Sequence, residues 1–308
     1  MSDHEPLAVT ADDRGDRIGV SAGGRDLAHY VYRPTDVTLE SPRPYLSPVH
    51  TLAGSLVSLF RPHDHVWHKG IAWSLPVVGD ENFWGGPTFV RGEGYVQLPN
   101  NGEQRHVSLD VAQADGAVTI AERLEWITQA GLRVFEEERT LRARVVDAST
   151  WEWGFETRMT AIAKEPIALG SPTTRGRDNA GYGGLFWRGP RSFTGGVVLS
   201  PAGDSGDDLR GTRAPWMGFR GTHDGDGAVS TVVIASHPEN SAHPPPWFVR
   251  SEDFACLNPA PFFYEERVLA PGGVLHERYS VLVHDGPWNA ADAGEAVART
   301  LAWHGGAA

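Results

Sequence analysis

The sequence predicts an all-β protein, a large antiparallel β-sandwich that takes residues 1–308 as a single domain and ends in one C-terminal helix. Three observations lead there. Short runs of alternating or continuous apolar residues recur along the chain, the period-two signature of strands that bury one face. Glycine and proline number 36 and 22, enough to punctuate many short elements. Helical spacing with capping residues is confined to the C-terminal end.

In chain order the predicted strands are RIGVSAG, HYVYRP, GSLVSLFRP, KGIAWSLPVV, VSLDVAQ, AVTIAERLEWIT, LRVFEEERTLRARVV, TWEWGFETRMTAI, TGGVVLSP, VSTVVIAS, PPWFVR and LHERYSVLVHDG. Each is bounded by Gly, Pro, Asn or Asp. LRVFEEERTLRARVV carries enough charge to pass for a helix, but it follows a turn at Gly131, and Leu132, Val134 and Leu141 fit a strand with one wet face. The closing NAADAGEAVARTLAWH is different: Asn289 or Asp292 can cap it, and its Ala, Glu and Arg favour helix.

Composition narrows the function. A net charge of −12 argues against nucleic acid, which needs clustered Lys and Arg. There is no apolar run long enough to span a bilayer, so no membrane partner is expected, and a cytoplasmic location follows from the acidic, polar start of the chain. Cys256 is the single cysteine, which leaves no intrachain disulfide and no thiolate zinc cluster; in DFACLNP it reads as a small buried residue. The 11 tryptophans offer flat apolar faces, of which most fill a core and some suit the C–H faces of a sugar.

Four segments carry candidate chemistry. RPHDHVWHKGIAW places His63, His65 and His68 beside Asp64, Trp67 and Trp73. On extended backbone His63 and His65 share a face, and His68 rejoins them only if the chain turns. The set is open to three readings: acid/base or substrate binding, a transition-metal site, or a polar corner of the core. GDENFWGG offers Asn82 and Trp84 next to a glycine turn. GSPTTRGRDNAGYGGLFWRGPRSF reads as a donor-rich loop with Arg177, Asn179, Tyr182, Trp187 and Arg188, suited to carboxylates or vicinal hydroxyls, and it lacks the strand-to-helix setting of a phosphate cradle. In NPAPFFYEE, Glu265 and Glu266 are candidate bases, of which a strand would turn at most one inward.

Through RPYLSPVHTLAG, RPHDHVWHKGIAW, NFWGG, GSPTTRGRDNAGYGGLFWRGPRSF and NPAPFFYEE the chain resembles a bacterial family labelled PmoA, whose members are often encoded among sugar-utilisation proteins. The label comes from a membrane monooxygenase subunit, and a chain with no spanning segment takes nothing from it. LAPGGVLHERYSVLV is also similar to the closing strands of aldose epimerases. That resemblance implies a galactose-mutarotase-like sandwich with a histidine acid and a glutamate base, but Asn258 stands near where the base would be, leaving Glu265 or Glu266 as substitutes.

The function expected from all this is a carbohydrate-active enzyme acting on a small-molecule sugar or oxidised sugar derivative, with His65 and His68 as the proton-transfer pair. Arg61, His63, Asn82, Arg177, Asn179 and Arg188 would bind substrate, and Trp84, Tyr182 and Trp187 would form a stacking wall. No cofactor is expected. The rivals are a non-catalytic sugar-binding or sensing protein, and a metal-dependent hydrolase or oxygenase built on His63, His65 and His68. Oligomeric state is not legible in the sequence.

Overall fold

Alternating side chains put half of each strand's residues against the facing sheet, and this chain does so across two large antiparallel sheets. The computed structural model describes residues 7–305. One sheet runs in the order Val9–Asp13, Arg17–Ala22, Arg25–Val31, Tyr45–Val49, Ile71–Ser74, Gly184–Arg188, Cys256–Pro259, Trp247–Arg250. The other runs Gly203–Ser205, Val197–Ser200, Trp216–Thr222, Val229–Ser236, Val274–Asp285, Thr150–Ala161, Arg133–Asp147, Ala117–Ile127, Glu103–Ala114. Aromatic pairs bridge the two: Trp73 stacks on Phe155 at 5.8 Å, and Trp187 meets Phe219 at 5.5 Å. A three-stranded sheet and a two-stranded hairpin, Thr88–Val90 with Gly94–Val96, complete the strands.

The C-terminal helix is Ala290–Gly305. Asn289 caps it, its side-chain oxygen accepting from the N–H groups of Ala291 (2.8 Å) and Asp292 (3.0 Å). Ala293, Ala296 and Val297 pack with Trp216, Trp288 and Leu282 in a second apolar cluster on the outer face of the nine-stranded sheet. No helix among the described residues is long and apolar enough to cross a membrane.

Three strand expectations need correction. Arg133–Asp147 is a strand, but its buried face holds Phe135, Glu137, Arg139 and Leu141, while Leu132 is 66% exposed. The inward charges make a network: Arg139 pairs with Glu137 (2.8 Å) and donates to Tyr30 and Gln104, and Tyr30 in turn bonds Glu122. Because every charge in it is partnered, burial is tolerated and the alternation survives with polar residues inside. GSLVSLFRP forms no strand; its backbone bonds singly to Val49, Arg188 and Gly70 instead of along a ladder. Conversely, Gly184–Arg188, expected within a loop, is a fully buried strand between Ile71–Ser74 and Cys256–Pro259.

Candidate functional site

The histidine segment leaves the sheet by two successive turns. The His65 N–H bonds the Pro62 carbonyl (3.0 Å) and the His68 N–H bonds the His65 carbonyl (2.9 Å). This coiling overturns the extended-backbone expectation: His65 and His68 come together with parallel rings, centroids 4.7 Å apart, while His63 swings outward to Arg191. The three histidines do not converge as a ligand set, and no group of three or more His, Cys, Asp or Glu side chains among the described residues is placed to hold a metal.

The partners of the two rings fix their protons. Asp64 accepts from His65 Nδ1 at 2.9 Å, so Nδ1 carries hydrogen and Nε2 keeps its lone pair. Arg188 Nη1 lies 3.1 Å from His68 Nδ1 and can only donate, so that Nδ1 must accept and the proton sits on Nε2. Burial lowers the pKa of His65, with Asp64 pulling partly the other way. His68 is fully buried and held well below its ordinary value by burial, then by His65, Arg188 and Arg43. Both rings are therefore neutral near pH 7, one offering a lone pair and the other a hydrogen. Asp64 itself stays ionised: burial opposes this, but hydrogen bonding from His65 and the charge of Arg188 outweigh it, and Arg191 adds an ion pair at 2.5 Å.

The pair lines a cleft of about 400 Å³ whose other walls include Trp67, Trp84, Tyr95, Tyr182, Phe248 and Phe254. Asn82 positions Trp84, its side-chain oxygen accepting from the N–H groups of Trp84 (2.9 Å) and Gly85 (3.0 Å). Gly86 has φ +71°, and a Cβ there would lie 2.8 Å from the Trp67 ring, so only glycine lets that indole close on the turn. Tyr95 arrives on the Thr88–Val90/Gly94–Val96 hairpin, bonds the Tyr182 hydroxyl at 2.9 Å and lies under the guanidinium of Arg177.

Of the residues expected from sequence, the structure brings His65, His68, Trp84, Arg177 and Tyr182 to this one cleft. Others go elsewhere. Trp187 is fully buried in the main core with its indole N–H on the Val57 carbonyl, so it cannot stack on a ligand. Arg188 lies beneath the site, 3.7 Å from the Phe254 ring centroid, and orients His68 and Asp64. Arg61 is engaged with Glu40, and Asn179 is an exposed turn residue at φ 50°. Glu265 is exposed, and Glu266 pairs with Arg175 at 3.0 Å; neither lines the cleft. Asn258 is a clamp inside the sheet, accepting from the Gly183 N–H (2.8 Å) and donating to the Leu185 carbonyl (3.0 Å). Cys256 is buried, its thiol pushed up to about 12.

Sequence reasoning did not single out Tyr95, Phe186, Phe248, Arg250 or Phe254 as site residues. Nothing local marks them, since each sits in ordinary strand or turn pattern. Asp64 had a signal in its direct adjacency to His65.

A large antiparallel sandwich with a histidine pair set in an aromatic cleft is the class that fold and geometry define. The chain belongs to a family of unknown function, DUF6807, whose model matches residues 17–298. No curated protein matches the sequence. Among solved structures the chain is similar to an alpha-galactosidase from Lactobacillus brevis, with 11% identity and a TM-score of 0.37, covering 90% of this chain and 39% of that one. It is also similar to a protein assigned as an aldose 1-epimerase from Klebsiella pneumoniae, with 10% identity and a TM-score of 0.40 over 96% of this chain and 86% of that one.

Proposed function

We propose that the protein is a carbohydrate-active enzyme that works on a sugar or oxidised sugar derivative by proton transfer, with His65 as base and His68 as acid. The observation that carries this is the complementary pair of tautomers: the nitrogen left to His65 accepts, the nitrogen left to His68 donates, and both residues line one aromatic cleft. A general acid and base must reach opposite ends of one proton-transfer step, and neutral imidazoles do so near pH 7. The segments resembling the PmoA-labelled family supply three of the cleft's walls, through His65, Trp84 and Tyr182.

The test compares wild type with His65→Gln and His68→Gln against a panel of sugars and sugar acids. Turnover is followed by NMR and binding by calorimetry. Turnover should fall about a hundred- to ten-thousand-fold in each variant while binding persists.

The aromatic walls also favour a non-catalytic sugar-binding protein. That reading replaces ours if no sugar in the panel is altered, both Gln variants bind as wild type, and Trp84→Ala abolishes binding.

A further inference from the structure

The chain as a whole is acidic, at −12, yet no Asp or Glu among the described residues lines the cleft. The ionic groups that do line it are Arg177 and Arg250, alongside the two histidines. Asp64, the nearest carboxylate to those rings, is compensated by Arg188 and Arg191. The sign of the cleft is thus inverted against the sign of the molecule.

Neither arginine is fully used by the protein. Arg177 lies over the Tyr95 ring and donates to the Tyr95 hydroxyl, and none of the carboxylates among the described residues pairs with it. Arg250 is braced between Phe254 (5.2 Å) and Phe248 (5.9 Å); its buried Nε has no hydrogen-bond partner among the described residues, and the carboxylate it meets is Asp253, whose side chain is 77% exposed. An exposed pair of that kind contributes little and exchanges readily, whereas a guanidinium facing a low-dielectric aromatic cleft strongly favours an anion. Contact with the rings also restrains each guanidinium, whose planar fork suits two-point recognition of a carboxylate.

We infer that the ligand of this cleft is an acidic carbohydrate, a sugar carrying a carboxylate, and that Arg177 and Arg250 hold its anionic group while the histidines face the ring. This deepens the carbohydrate reading above and rests on it for the sugar portion. A cleft of about 400 Å³ lies within the range of small-molecule sites.

Calorimetry on the full chain tests it, with D-glucuronate, D-galacturonate and D-gluconate as probes, D-glucose and D-galactose as their neutral counterparts, and glucose 6-phosphate as a phosphorylated control. At least one carboxylated probe should bind about tenfold or more tighter than its neutral parent, and Arg177→Gln and Arg250→Gln should each shrink that preference. Melting curves establish that both variants are folded, and Arg177→Lys should recover part of the loss by restoring charge without the planar fork. Equal or better binding of the neutral sugars, a preference unchanged in both variants, or no binding by any carboxylated probe overturns the inference. Tight binding of the phosphate alone overturns the carboxylate assignment. Because binding is read without turnover, an acid that binds through the arginines but is never altered leaves this inference standing and removes the enzymatic reading.

Discussion

His65 and His68 differ in what their Nδ1 atoms meet, a carboxylate in one case and a guanidinium in the other. Long-range nitrogen–proton NMR should therefore find the hydrogen on Nδ1 of His65 and on Nε2 of His68; the reverse assignment would remove the acid/base roles. The same burial sets a pH dependence. A histidine whose folded pKa is lowered takes up its proton more readily in the unfolded chain, so its contribution to stability is complete above the unfolded value of 6.5 and is lost as pH falls below it. His29, His50, His223, His243 and His284 shift the same way. The melting temperature should fall between about pH 7 and pH 5, and His68→Gln should flatten that fall. If His65 is the base, the acid limb of activity lies below 6.5 as well, because its pKa is lowered.

Trp84 and Trp187 illustrate how the elements sort residues of one type. Trp84 sits on a glycine turn that Asn82 pins, and it reaches the cleft; Trp187 sits mid-strand in Gly184–Arg188 and faces the opposite sheet. Trp187→Phe should leave ligand binding unchanged, and Trp187→Ala should cost about 3–5 kcal/mol in denaturant unfolding as a core truncation. The Gly86 turn makes a second test. Ala there combines a left-handed backbone with a clash against the Trp67 ring, so Gly86→Ala should destabilise by about 2–3 kcal/mol and weaken binding by displacing that wall.

Between the sheets, Tyr30, Glu122, Glu137, Arg139 and Gln104 form a polar tie inside a largely apolar interior. Arg139 carries it: its guanidinium meets Glu137, Tyr30 and Gln104, and Gln104 reaches across to the Trp73 carbonyl at 2.9 Å. Removing one partner of a buried pair leaves the other charge uncompensated. Arg139→Met should therefore cost about 3–5 kcal/mol, and the double change Arg139→Met with Glu137→Leu should recover part of it. If the double variant is as unstable as the sum of the single ones, the tie is not the coupled unit described.

The sequence by itself determined the all-β class, the C-terminal helix with its Asn289 cap, and three of the segments that wall the cleft. Those follow from local facts: side-chain period, turn residues, a capping amide, and unusual clusters of histidine, tryptophan and glycine. Tertiary structure alone decided which members of those clusters matter. His63 and His65 are two apart and would share a face on a strand, but one turn parts them and the next joins His65 to His68. Arg188 and Trp187 lie in the same glycine-rich segment as Arg177 and Tyr182, yet the pairing of Gly184–Arg188 with its neighbours turns Trp187 into the core and buries Arg188 beneath the cleft. Arg250 and Phe254 come from the far end of the chain and carry no local mark at all. Register and sheet order are set by contacts between residues distant in sequence, and a single chain read in one dimension holds no record of which distant residue answers which.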